Sequence, residues 1–308
     1  MPSSSQAALR NLLNRPRLLL VMCALFWAGN FVLGRAMHEA IPPIGLAFWR
    51  WVVASALVLP FVWRPLVRQW PLLRRHIGRM SLLAVLGVSA FNVFVYIGLQ
   101  TTTATNSVLI QSTMPLQILL LNRLLYRVQA TKREAVSILL SMSGVVFIIS
   151  AGDPLRLFNG HWNGGDLWIL GAALVWALYS VLLRWRPAEL DPGAFLGFTL
   201  IAGAIALLPL YLVETAIGRP VDWSPSVGLT IAYVAVFPSV LAYLFWNRGV
   251  AALGANAAGH FINLIPVFGS VMAVLLLGEL FGWYHAVGAG LVAAGILLAA
   301  FAGRGRAA

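Results

Sequence analysis

Residues 18–37 read LLLVMCALFWAGNFVLGRAM, twenty positions with one charge, Arg35, near the far end. An α-helix needs about 20 mainly apolar residues to cross the roughly 30 Å hydrocarbon core of a bilayer, and this segment has that length. The same ruler marks further spans at 44–63, 77–99, 102–126 and 133–151, then at 166–185, 192–213, 225–249, 254–276 and 282–302. Composition agrees. Of the 308 residues 60% are hydrophobic and 10% charged, whereas soluble domains carry about 25% charged residues, so lipid rather than water must cover most of the exterior. The expected fold is an all-α integral membrane protein with ten transmembrane helices. Residues 1–17 and 303–308 form short tails, and residues 152–165 link the two sets of five.

The net charge of +12 could suggest a nucleic-acid partner, but the cations stand in short clusters between apolar runs and no soluble module remains to carry a basic face. They read instead as topogenic charge. With the N-terminus in the cytoplasm, 17 of the 21 Lys and Arg residues fall on the cytoplasmic side, Arg35, Arg156 and Arg219 fall outside, and Arg50 stays within a span. Both termini are then cytoplasmic and the membrane is a bacterial-type inner membrane. The basic N-terminal segment resembles a signal n-region, but no small-residue cleavage site follows, so the first span reads as a retained helix. The single cysteine, Cys23, lies inside that span and reads as a small buried hydrophobe.

The chain repeats. Trp27 and Trp176 are 149 residues apart, as are Pro43 and Pro192, and Pro60 and Pro209. After a two-residue slip, Gly98 and Gly249, Pro115 and Pro266, and Gly144 and Gly295 are 151 apart. Common order and near-constant spacing indicate duplication. Five helices per half is an odd number, so the halves 18–151 and 166–302 enter the membrane from opposite sides. Inverted repeats of this kind suit a secondary transporter whose halves rock about a site near the midplane.

Polar residues inside spans are costly unless they face a cavity or a partner, and their spacing outlines a centre. Asn92, Tyr96 and Gln100 stand at i, i+4 and i+8 of the third helix, and Ser239, Tyr243 and Asn247 repeat that pattern in the eighth. Trp27 with Asn30, Trp176 with Tyr179, and His260 with Asn263 add to the set. For each residue singly, an interhelical hydrogen bond explains the position as well as substrate binding does. Arg50 reads either as the counter-ion of a substrate carboxylate or as a brace between helices. Pro115, Pro238 and Pro266 should kink their helices and serve as hinges or static bends. No carboxylate is expected at a helix centre, which argues against a cation pump driven by a buried acid. No cluster suggests a metal, a cofactor or a catalytic group.

The residues Ala24–Phe31, then Pro43 with Phe48-Trp49-Arg50, then Tyr96–Gln100 and Thr102–Pro115 are echoed by Trp176–Tyr179, Tyr243–Gly249, Ala255–Pro266 and Leu277-Gly-Glu279. Taken in order, they resemble the EamA-type transporters of the drug/metabolite transporter superfamily over nearly the whole chain. The Gly-Glu after the ninth helix has no counterpart after the fourth, where Arg127-Val128 stands. The resemblance implies a ten-helix basket around a central cavity and export of amino acids, aromatic ones in one branch, or related metabolites. Alternatives are a facilitative pore or channel and, more remotely, an intramembrane enzyme. The partners implied are a small-molecule substrate and membrane lipid. Oligomeric state stays open, and a monomer suffices.

Overall fold

A computed structural model describes residues 15–127, 132–153, 155, 163–253 and 260–304. Among these residues the structure is helical throughout, with no strand. In chain order the main helices are α1 (Pro16–Ala36), α2 (Pro43–Arg68), α3 (Ile77–Gly98), α4 (Ala104–Gln111 followed by Met114–Tyr126) and α5 (Lys132–Ile149). Then come α6 (Gly164–Trp185), α7 (Pro192–Ala216), α8 (residues 225–253), α9 (Leu264–Leu277) and α10 (Trp283–Arg304). A short helix, Trp70–Arg75, joins α2 to α3.

Six of these are long and apolar enough to cross a bilayer by themselves, and a seventh candidate is α4, whose two pieces are bent by 41°. Residues 135–149, 261–277 and 283–298 form shorter apolar helices. The bend in α4 has a local cause. Pro115 has no N–H to donate and its ring crowds the carbonyl one turn back. The chain therefore tightens before it, with Thr113 N–H bonded to Ile110 O at 3.1 Å and the Thr113 hydroxyl on the same carbonyl at 2.7 Å. Pro115 thus opens the second piece of α4, where a proline is well tolerated, rather than kinking the middle of a helix. Pro266 likewise sits in the first turn of α9, just after the tight turn His260–Asn263.

The duplication visible in the sequence recurs in backbone detail. α3 widens into a π-turn at Val85–Ala90 and α8 at Val236–Leu241, two segments offset by 151 residues at both ends. Pro238 falls inside the second, where the wider turn accommodates a residue without an N–H. α5 and α10 pack through small residues in contacts that the same offset exchanges. A Cβ on Gly144 would lie 2.6 Å from Gly288 O, and one on Gly295 would lie 2.7 Å from Ser137 O. Between them the Ser141 hydroxyl donates to Val292 O at 3.3 Å, a pair separated by 151 positions. Contacts that exchange in this way mark a two-fold relation between the two segments.

Two acids that sequence position alone puts near loops tie the halves together. Glu214 of α7 accepts from the N–H groups of Ile44 and Gly45 at 3.2 and 2.7 Å, capping α2. Glu279, just after α9, accepts from Ala104 and Thr105 at 2.7 and 2.9 Å, capping α4. The first N–H groups of a helix have no partner within it, and a carboxylate satisfies them while matching the helix dipole.

Candidate functional site

The backbone devices described above aim a set of polar side chains at one point. Asn92 donates its amide N–H to Val88 O, inside the first π-turn, at 2.7 Å, which turns its carbonyl oxygen inward. Ser239, inside the second π-turn, donates to Val234 O at 2.8 Å, five residues back, leaving its lone pairs free. Both face Arg50 of α2. The Arg50 Nε donates to Ser239 Oγ at 2.7 Å, and Nη1 donates to Asn30 Oδ1, Asn92 Oδ1 and Tyr96 Oη at 2.9, 2.8 and 2.9 Å. The Tyr96 hydroxyl in turn donates to Asn30 Oδ1 at 2.7 Å. Trp51 covers the guanidinium, its ring centroid 4.8 Å from the Arg50 Cζ. Arg50 is only 5% exposed, and this one group links α1, α2, α3 and α8.

Every partner of Arg50 in this cluster is neutral. Among the described residues no carboxylate lies within ion-pair distance of it, and the one such contact, His38 with Glu39, is elsewhere at the surface. A buried guanidinium is normally matched by an anion. Here four neutral acceptors disperse the charge and none cancels it.

An aromatic set adjoins the cluster through Tyr243. Phe91 and Trp176 rings lie 4.9 Å apart, and Trp176 and Tyr179 5.3 Å apart. The phenol groups of Tyr179 and Tyr243 interact, and Tyr243 lies within reach of the Arg50 charge. Trp27 donates its indole N–H to Pro238 O at 3.1 Å and packs against Trp246 at 5.7 Å. Trp27, Trp176, Tyr179 and Tyr243 are all partly exposed although they sit between helices.

The structure thus brings together Asn30, Arg50, Asn92, Tyr96 and Ser239, with Tyr243, Tyr179 and Trp176 adjoining and Trp27 on the neighbouring face of α1. Gln100 falls outside that group. α3 ends at Gly98, so helical spacing no longer governs the position of residue 100. Its side chain lines a cavity of about 590 Å³ with Pro43, Trp168, Glu214 and Arg219. Its carbonyl, with that of Leu99, accepts from Arg35 Nη1. Asn247 and Asn263 are exposed. His260 opens the tight turn before α9, but its side chain lies outside the described residues. Pro238 is buried against the cluster and Pro115 is exposed.

One buried polar group escaped the sequence reading. Asp166, in the first turn of α6, is 1% exposed and takes hydrogen bonds from the Thr102 hydroxyl and from the Asn106 amide N–H. Asn106 Oδ1 pairs with His285 Nε2 at 2.9 Å, while His285 Nδ1 accepts from Gly282 N–H. The latter bond fixes the neutral tautomer with its proton on Nε2. This chain of bonds ties α4, α6 and α10 at one end of the bundle. The sequence signal was weak, because an acid after Asn163-Gly-Gly reads as a helix start facing water.

The comparisons agree with this architecture. A solved crystal structure aligns over 94% of this chain and 98% of its own at a TM-score of 0.60 and 20% identity, which establishes the shared fold. An uncharacterized transporter of Archaeoglobus fulgidus is 27% identical over 92% of this chain and 97% of its own length. The transporter YyaM of Bacillus subtilis is 29% identical over 92% of each chain, and a WAT1-related chloroplastic protein of Arabidopsis thaliana is 25% identical over 92% of this one. The EamA-like transporter family matches twice, at residues 15–150 and 163–301, one match for each half that the offsets of 149 and 151 residues had marked out. With two matches covering nearly all of its length, the chain belongs to the EamA-like transporter family.

Proposed function

We propose that this transporter exports amino acids, aromatic or small neutral ones, or related metabolites across the inner membrane by alternating access. In this reading ten helices span the bilayer as two inverted halves, with both termini cytoplasmic and the substrate held near the midplane. The observation that carries the reading is the convergence of matched devices on one point. Two π-turns offset by 151 residues flank the cluster around Arg50, and Tyr243, Tyr179 and Trp176 of the second half adjoin it. Paired irregular turns in corresponding helices mark the binding region of inverted-repeat transporters, because backbone departs from the α-helix only where protein or a cavity can satisfy it. Rocking of the halves about such a point opens it first to one side and then to the other.

The test is flux of labelled phenylalanine, leucine, threonine and alanine in proteoliposomes, with and without preloaded unlabelled amino acid. Saturable flux accelerated by preloading is the expected result. Flux that never saturates would favour the pore instead, and no flux of any of the four would overturn the proposal. Trp176→Ala and Tyr243→Ala should each lower flux at least tenfold while preserving the elution profile of the folded protein. Unchanged flux in both would remove the aromatic set from the site.

A further inference from the structure

We propose that the Arg50 cluster is a carboxylate-binding subsite, and that the aromatic set adjoining it seats the apolar body of the same substrate. The inference deepens the transport reading and rests on it. Arg50 carries a full charge that no acid offsets among the described residues, and its hydrogen bonds use Nε and Nη1 only. Nη2 donates to no acceptor among the described residues. A carboxylate meets both needs at once, by taking the unused N–H groups and by neutralising the charge in a medium where charge is costly.

The four neutral partners have a second consequence. Asn30, Asn92, Tyr96 and Ser239 hold the guanidinium plane in one orientation, so little freedom is lost when an anion arrives. Were Arg50 only a brace, an acid among these partners would serve better, because the pair would be neutral in lipid. The cluster also occurs once. The positions that correspond to Asn30, Arg50 and Asn92 in the second half are Tyr179, Thr199 and Tyr243. One side of the centre is therefore cationic and the other is aromatic. The solute that fits is an organic acid or amino acid with an apolar or aromatic side chain, bound by its carboxylate at Arg50.

The experiment separates this from the transport reading because it measures binding in detergent. The probes are L-phenylalanine, L-phenylalaninamide, phenethylamine and 3-phenylpropionate, with melting temperature as the readout. Phenylalanine and 3-phenylpropionate at saturation should raise it by about 2 °C or more, and the amide and the amine should not. Arg50→Lys should keep that ranking with affinity lowered about tenfold, and Arg50→Gln should abolish it. If Arg50→Gln does not fold, the ranking of the four probes on the unaltered protein still decides. No shift with either carboxylate, or an equal shift with phenethylamine, would overturn the subsite. Carboxylate binding without any flux would uphold the subsite and sink transport of these solutes.

Discussion

At matched positions the two halves of the chain carry different chemistry on similar backbone. The first half places Asn30, Arg50, Asn92 and Tyr96 in one bonded cluster. The second half places Tyr179, Thr199, Tyr243 and Asn247 at the corresponding positions. There Thr199 does no more than return its hydroxyl to the carbonyls of Phe195 and Leu196 in its own helix, and Asn247 is exposed. The π-turns and the crossing of α5 with α10 are shared by both halves. Backbone geometry is alike in the two halves at the π-turns and at the α5–α10 crossing, and the side chains around Arg50, where the proposed solute would bind, differ. A symmetric frame with an asymmetric centre can bind a solute whose two ends differ.

The largest expected effect separates Arg50 from Thr199. Arg50→Leu removes four hydrogen bonds and leaves Asn92 Oδ1 buried without a donor, while Asn30 Oδ1 keeps only the Tyr96 hydroxyl and Ser239 only the bond it donates to Val234 O. With about 1.5–3 kcal/mol for each hydrogen bond to a charged group and about 1–3 kcal/mol for the acceptor left bare, the loss should be roughly 3 kcal/mol or more in denaturant unfolding in micelles. Thr199→Val at the matched position gives up a bond within one helix turn and should cost under about 1 kcal/mol. Similar losses at both positions would mean that the cluster contributes nothing special and that the halves are energetically alike.

A second test asks whether the frame is as symmetric as the centre is not. Gly144 and Gly295 face backbone carbonyls of the opposite helix at nearly equal closeness, whereas Gly290 of α10 has open space around it. Backbone cannot give way as a flexible side chain can. Gly144→Ala and Gly295→Ala should each therefore cost about 1–3 kcal/mol, and the two values should agree within about 0.5 kcal/mol. Gly290→Ala should be neutral or slightly stabilising, since alanine is the better helix former. A large difference between the first two would show that the two-fold relation between α5 and α10 does not extend to their energetics.

The course of the chain was legible in the sequence because the rules that set it are local. Apolar length marked the helical segments, six or seven of which are long and apolar enough to cross a bilayer, and the offsets of 149 and 151 residues marked the duplication. What stayed hidden depends on contacts between distant segments. Glu214 reads as an acid near a span end and Glu279 as one beside a loop, yet each caps a helix some 170 residues away. Asp166 stands beside a loop in the sequence, yet it is buried against α4. Pro115 and Pro266 read as kinks, and α4 does bend by 41° just ahead of Pro115, but each proline stands in the first turn of the helix that follows rather than inside one. Spacing at i, i+4 and i+8 failed for Gln100 because it assumes an unbroken helix, and α3 stops two residues earlier. Arg50, Asn92 and Tyr96 stand out in the sequence because a charge or amide inside a span has few ways to be satisfied, and they do bond to one another, whereas the choice of Ser239 from the other half could not be read from spacing.

The smallest effect probes the comparison at a single matched pair, Tyr96 and Asn247. Tyr96→Phe keeps the ring, which is among the largest fully buried side chains, and deletes only the hydroxyl. That hydroxyl donates to Asn30 at 2.7 Å and accepts from Arg50 at 2.9 Å. Asn30 Oδ1 still receives Arg50 Nη1 after the change, so no acceptor is left bare, and the cost should be about 1–2 kcal/mol. Asn247→Ala removes an exposed amide and should fall within about 0.5 kcal/mol of no change. The two substitutions measured side by side in the same micelles read out the asymmetry directly, since their positions differ only by the duplication. A cost at Asn247 equal to that at Tyr96 would mean that Asn247 is bonded within the protein in solution, and that the second half holds a polar cluster of its own.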